Sequence, residues 1–164
     1  MKTPLIPVND KERLAALHAL LILDTPPEER FDRIVQFAAS EFDMPIVLVS
    51  FVDENRQWFK ARVGLDVCET PREQAFCAHA IHSTEPLLVP DTLKDERFFD
   101  HPLVIGAPHI RSYSGAPLVL PSGMIAGTLC LIDTKPHELD KMDLSILGTL
   151  RDLVVQELTE REQA

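Results

Sequence analysis

Cys77 and His79 stand two residues apart in the stretch "EQAFCAHAI", with Glu73 at its head. A thiol, an imidazole and a carboxylate in one short apolar segment could form a nucleophile with its base, a metal site or a chromophore anchor. Each of these demands a geometry. On a helix, residues two apart project about 200° from one another, so Cys77 and His79 do not naturally share a ligand. Metal-binding pairs on helices use spacings of three or four. His79 and His82 meet that spacing, but no second cluster of Cys, His and carboxylates completes a tetrahedral set nearby. A Cys–His nucleophile also needs an oriented base and an oxyanion site, and neither is marked. Cys77 therefore reads most simply as a small buried hydrophobe. His79 stays open between a satisfied core imidazole and a group facing a cavity.

The other chemically capable side chains are treated the same way. Cys68 lies just before a capped helix, outside its first turn, so a lowered thiol pKa is not indicated. Cys130, inside the alternating "GTLCLID", reads as core. Asp53, Asp91 and Asp133 each end a strand, and local capping of the following turn explains them better than a shared catalytic group. Arg111 and Tyr113, at i and i+2 of a strand, share one face. If that face looks into a cavity, a cation and a phenol could hold a small polar ligand; otherwise the Arg is solvated and the Tyr is core.

The elements that position these groups follow from periodicity. "DKERLAALHALLIL" has Leu14, Leu17, Leu21 and Ile22 along one helical stripe. "LDTPPEE" then offers Thr25 as a cap, Pro26 at the first position and Glu28 as capping-box partner. The helix it starts puts Phe31, Ile34, Val35, Ala38 and Phe42 on one face. "PIVLVSFVD" and "WFKARVG" predict an antiparallel hairpin, the first strand apolar on both faces and therefore central. A second capping box, Thr70 to Glu73, predicts the helix carrying Cys77 and His79. "PLLVP" is a short strand, and residues 92–110 form a long irregular segment of the kind that is often functional. "RSYSGAPLVL" and "MIAGTLCLID" are two strands joined by the "PSG" turn. A last helix from Asp140 carries Leu144, Leu147, Leu150, Val154 and Leu158 on a stripe. Hairpin-linked strands between helices predict an α+β fold with an antiparallel sheet covered by helices. No G-x-G-x-x-G, Walker loop or G-x-S-x-G elbow is present.

Bulk properties narrow the function. The 164 residues suit one domain, and 45% apolar with 26% charged residues is an ordinary globular composition. Sixteen Lys and Arg against 26 Asp and Glu give a net charge of −10, which disfavours nucleic acid and anionic membranes as partners. No apolar run is long enough to span a bilayer, and "MKTPLIPVND" does not read as a signal peptide. Three cysteines suggest no disulfide framework, so a reducing cytoplasmic location is expected.

Taken together, "LDTPPEERFDRIVQFAASEFDMPIVLVSFVDENRQWFKARVGLDVCETPREQAFCAHAI", "PLLVPDTLKDERFFDHPLV" and "IRSYSGAPLVLPSGMIAGTLCLIDTKPHELD" resemble the GAF domains of bacterial signalling proteins. The likeness is greatest to the subgroup found ahead of histidine kinase, diguanylate cyclase and phosphodiesterase modules. It spans residues 10–160, leaving 1–9 as an N-terminal extension and 161–164 as a tail. The resemblance implies a five- or six-stranded antiparallel sheet, with the N- and C-terminal helices on one side and a ligand cavity on the other. The helix from Phe76 to His79 and the 92–110 segment would roof that cavity. The ligand-binding set is then drawn from Trp58, Phe76, Cys77, His79, Asp91, Phe98, Arg111 and Tyr113. Ligand identity does not transfer with a fold, so neither ligand nor cofactor is named.

Specialised relatives fit less well. Bilin-binding members attach chromophore to a Cys followed directly by His, and here Ala78 intervenes. Free methionine sulfoxide reductases carry a Gly-Val-Cys-Gly turn, where this chain has "DVCET" and "AFCAH". The Asn-Lys-Phe-Asp-Glu signature of cyclic-nucleotide-binding members is missing. The expectation is a non-enzymatic sensory domain that binds an unidentified small molecule. It would form a homodimer through its terminal helices and relay its state to a fused or separate histidine kinase or diguanylate cyclase/phosphodiesterase output domain. The alternatives are a redox enzyme using Cys68 and Cys77, and a ligand-free dimerisation module.

Overall fold

A computed structural model describes residues 1–163, with side chains through residue 160. Five α-helices and six strands follow in the order α1 (Asp10–Ala19), α2 (Glu29–Phe42), β1 (Ile46–Val52), β2 (Arg56–Val63), β3 (Glu69–Pro71), α3 (Cys77–Ala80), β4 (Leu87–Val89), α4 (Pro102–Ile105), β5 (Ser112–Val119), β6 (Ile125–Asp133) and α5 (Lys141–Gln163). The strands form one sheet in the order β3-β2-β1-β6-β5-β4, and each neighbouring pair is antiparallel. This is the α+β architecture expected of the sequence.

Strand β1 sits inside the sheet because all seven of its residues are buried. Its side chains alternate between two separate cores. Val47, Val49 and Phe51 face α1, α2 and α5, where they meet Phe31, Val35, Ala38, Leu147, Leu150 and Val154. Ile46 and Leu48 face the other way, toward α3 and the segment before β5. The central β1–β6 pair runs close. A Cβ on Gly127 would come within 1.8 Å of the Ser50 carbonyl oxygen, so only glycine fits there.

The α2 stripe is buried as its spacing requires, as is the α5 stripe apart from half-buried Leu144, and α2 closes on Asp43 in the left-handed region. The end of the first helix and the start of the second differ from expectation. The first helix stops at Ala19; Leu21 takes φ 52° and is exposed, while Leu20 and Ile22 enter the core. The stripe read through Leu21 is therefore broken by the chain reversal that leads into α2. Thr25 does not cap α2, which begins at Glu29. Instead the buried ammonium of Lys60 draws this turn onto β2. It donates to Thr25 Oγ1 (2.8 Å) and Pro26 O (2.6 Å) and pairs with Glu28 at 2.6 Å.

A buried arginine docks α1. Arg13 is 1% exposed, and its guanidinium donates to the carbonyls of Val52 and Ile125 and to Asp10. Asp10 also accepts two bonds from Arg72. This ties α1 to the end of β1, the start of β6 and the chain after β3. Among the described residues, no helix is long and apolar enough to cross a membrane.

Candidate functional site

The sheet face opposite the long helices carries a pocket of about 270 Å³. Ile46 and Leu48 of β1, Gln57 and Phe59 of β2, Tyr113 of β5 and Ile132 of β6 form its floor. Ala75, Phe76 and Cys77 close one side, and Leu103, Pro108 and Ile110 close another. Alternation explains the floor, since residues two apart on a strand share a face.

The segment bearing Cys77 is shaped by its neighbours more than by its own helical tendency. Residues 69–71 pair with Arg56–Trp58 as edge strand β3, and Arg72 is drawn inward to Asp10 and the Asp53 carbonyl. The expected capping box at Thr70–Glu73 therefore does not form. A 3₁₀ turn at Arg72–Gln74 follows, and α3 is a single turn with no side-chain cap. Phe76, just before it, and Cys77 border the pocket, and His79 does not. His79 meets Phe98 edge to face at 4.9 Å. Burial, with the nearby Arg97 charge, lowers its pKa to about 4.

Cys77 is ringed by hydroxyls. Ser50 Oγ lies at 3.0 Å from its sulfur, Thr128 Oγ1 donates at 3.0 Å and Tyr113 Oη donates at 3.1 Å. Ser50 and Thr128 face each other across β1 and β6 and are 3.1 Å apart. Burial alone would raise the thiol pKa. Interaction with Cys130 and with these three hydroxyls outweighs it and lowers the pKa to about 6. Cys130 moves the other way, well above the ordinary thiol range, through its interaction with Cys77 and its burial. Burial and the adjacent Cys77 likewise raise Tyr113. Gly115 makes room for this arrangement, since a Cβ there would lie 2.3 Å from Tyr113 Oη. Cys77 is thus buried, as expected, but among hydroxyls rather than apolar groups alone.

Three of the eight residues expected at a pocket border it: Phe76, Cys77 and Tyr113. Trp58 projects from the opposite face of β2, stacks on Phe51 and belongs to the helix-side core. Its neighbours Gln57 and Phe59 take the pocket face instead. Phe98 is fully buried behind Phe76, with ring centroids 4.4 Å apart. Asp91 caps the turn at Thr92–Lys94 by accepting from Leu93 N. Arg111 precedes β5 and donates to the Val104 and Ile110 carbonyls, which fixes α4. Asp133 accepts from Thr134 N, the local role expected of it. Cys68 is exposed and borders a separate cleft beside Asp32, Gln36 and Trp58, on the α2 side of β2.

One further residue holds the roof. His101 Nε2–H donates to Gln74 O at 2.7 Å, while Nδ1 accepts from Leu103 N at 3.0 Å. This joins α4 to the chain before α3, and burial lowers the His101 pKa.

Known proteins share this fold. The GAF domain family model matches residues 26–158. A cyclic di-GMP phosphodiesterase of Pseudomonas aeruginosa is 41% identical over 156 residues, which cover 94% of this chain and 27% of that protein. The chain thus spans about a quarter of that relative's length. Among solved structures, the GAF domain of a phosphoenolpyruvate-protein phosphotransferase from Coxiella burnetii matches with a TM-score of 0.67. Its identity is 13%, over 93% of this chain and 96% of that one. A free methionine-R-sulfoxide reductase from Neisseria meningitidis, solved with its substrate, matches with a TM-score of 0.65. Its identity is 18%, over 93% and 90% of the two chains. Such identities show a shared fold alone. The family match over most of the chain, on a sheet with helices on one face and a pocket on the other, leads to one conclusion: the chain belongs to the GAF domain family.

Proposed function

We propose that this chain is a non-enzymatic sensory domain of bacterial signal transduction. It binds a small molecule in the pocket beneath α3 and passes its state to an output domain. The observation that carries this reading is a pocket built directly on β1 and β6, the strands whose other faces hold the long helices. A ligand pressing on Leu48 or Ile132 acts on the same backbone that supports α2 and α5.

The relative from Pseudomonas aeruginosa supports a cyclic di-GMP phosphodiesterase as the output domain; a diguanylate cyclase or histidine kinase in that place, and a cytoplasmic location, belong to the same proposal. Phe37 of α2 and Leu153 of α5 are 52% and 43% exposed and border one shallow groove. They support a homodimer through the terminal helices. A monomeric mass at high micromolar concentration refutes the dimer. Native mass spectrometry of the freshly purified chain tests the sensory role. A retained small molecule supports it, and a pocket empty in every preparation and indifferent to every added compound refutes it. An absorbance scan in the visible range identifies a bilin or haem.

The ionisable thiol of Cys77 on the pocket wall favours a second reading, a redox enzyme of the free methionine sulfoxide reductase type. Cys68 and Cys77 border different clefts, which argues against their acting as a pair. NADPH-coupled reduction of free methionine sulfoxide that is lost on replacing Cys77 with Ser would establish this reading in place of the first.

A further inference from the structure

The side-chain oxygen of Gln57 is buried and has no hydrogen-bond partner among the described residues. Gln57 is 5% exposed and borders the pocket, on the same side of β2 as Phe59. A buried acceptor left unpaired is costly, and folded proteins keep few of them. Among the described residues Ser112 Oγ is also without a partner, but Ser112 does not border the pocket. The thiol and phenol on the pocket wall already engage one another.

The walls set the rest of the ligand's chemistry. They contain no Lys, Arg, His, Asp or Glu, so a phosphate, carboxylate or ammonium group would enter without a counter-charge. Any charge on Cys77 is met by its hydroxyl neighbours and repels an anion further. Size gives a second limit. An apolar cavity of about 150 Å³ holds benzene, and drug-sized ligands occupy roughly 300–1,000 Å³. At about 270 Å³ this pocket suits a molecule of one or two fused rings.

We propose that the pocket takes a small, neutral, largely apolar ligand with an N–H or O–H group, and that the Gln57 side chain turns to bring Oε1, shielded as it stands, against that donor. This rests on the reading of the chain as a small-molecule sensor and names the class of molecule sensed.

Four probes separate the elements of the proposal in the full chain, with binding followed by NMR shifts of pocket residues. Indole has the ring system and one N–H donor, and 1-methylindole keeps the rings without the donor. Indole-3-acetate adds a carboxylate, and cyclic di-GMP represents charged nucleotides. Indole should bind and shift Leu48 and Tyr113, with 1-methylindole about tenfold weaker for the lost buried hydrogen bond. The two anions should leave those signals unmoved. In Gln57→Leu the preference for indole over 1-methylindole should vanish. Gln57→Met serves as a second variant, and the probe comparison in the unaltered protein needs no variant at all. Equal binding of indole and 1-methylindole, or a preference that survives Gln57→Leu, overturns the proposal. A retained anionic ligand also overturns this class while leaving the sensory role intact. A pocket that binds none of these probes overturns this class, and one that also retains nothing on purification and is indifferent to every added compound overturns both.

Discussion

Replacing Tyr113 with Phe removes a single oxygen from the Cys77 cluster and leaves the ring packing in place. The phenol is fully buried and donates to the sulfur at 3.1 Å. A hydrogen bond to a charged acceptor contributes about 1.5–3 kcal/mol. Less the about 1 kcal/mol that the bond contributes to the neutral thiol, at 1.36 kcal/mol per pH unit its loss should raise the Cys77 pKa by about 0.4–1.5 units. The effect on stability has a definite sign. The folded thiol ionises near 6 and an ordinary thiol near 9.0. Its contribution is therefore complete above about 9, falls as the pH drops and is gone below about 6. Tyr113→Phe should cost about 1 kcal/mol at the acid end, where the sulfur is neutral, and about 1.5–3 kcal/mol at the alkaline end. Ultraviolet titration of thiolate absorbance in a Cys68→Ser background gives the midpoint, with Cys130, held well above the ordinary thiol range, ionising separately. Urea unfolding at both ends of the range gives the energies, and the same mutation in the Cys77→Ser background should lose its pH dependence. Identical thiol midpoints with and without the phenol, or a cost that does not change with pH, would refute the reasoning.

Other perturbations probe the frame around the pocket. Asp10→Ala strips the counter-charge from Arg13 and Arg72, both buried; a loss of about 3–5 kcal/mol in chemical unfolding is expected, and a loss below about 1 kcal/mol would count against the docking role of α1. Gly115→Ala drives a methyl into Tyr113 Oη. It should cost about 1–3 kcal/mol and displace the phenol, visible as a raised Cys77 pKa in the same titration. Burial holds His101 neutral, so the stability it lends is present above the ordinary imidazole value of 6.5 and is lost as pH falls through the lowered one. Protonated Nδ1 cannot accept from Leu103 N, and hydrogen exchange at that amide, corrected for intrinsic pH dependence, should quicken on acidification; constant protection would argue against the contact.

Much of the frame was legible in the sequence because it depends on local periodicity. Phe31, Ile34, Val35, Ala38 and Phe42 recur at helical spacing, and a strand apolar on both faces can only be central. The residues that misled are those whose partners lie far along the chain. Thr25 and Thr70 both head plausible capping boxes, yet Lys60 claims the first and pairing with Gln57 places the second in a strand. Alternation in "RQWFKARV" separates Trp58 from Gln57 and Phe59, but it does not say which set meets the helices. The resemblance draws Trp58 into the pocket set, and it falls in the set that meets the helices. The 200° rule did separate Cys77 from His79. It could not reveal that Ser50, Tyr113 and Thr128, which lie 27, 36 and 51 residues away, converge on the sulfur. Nor does any pattern announce Arg13, a charged residue on the inward side of an otherwise ordinary amphipathic helix.

The division of the interior into two cores on either side of one sheet has an evolutionary consequence. Substitutions that share no partners and lie far apart add nearly independently. Side chains on the α3 side, such as Phe59, Phe76 and Ile110, pack in a different core from those that seat α2 and α5. Lineages can therefore redraw the pocket one residue at a time without forfeiting the stability the helical side provides. The sheet works as a firewall against mutation. It lets one scaffold diversify what it recognises while the helical side, and whatever that side contacts, stays under separate selection.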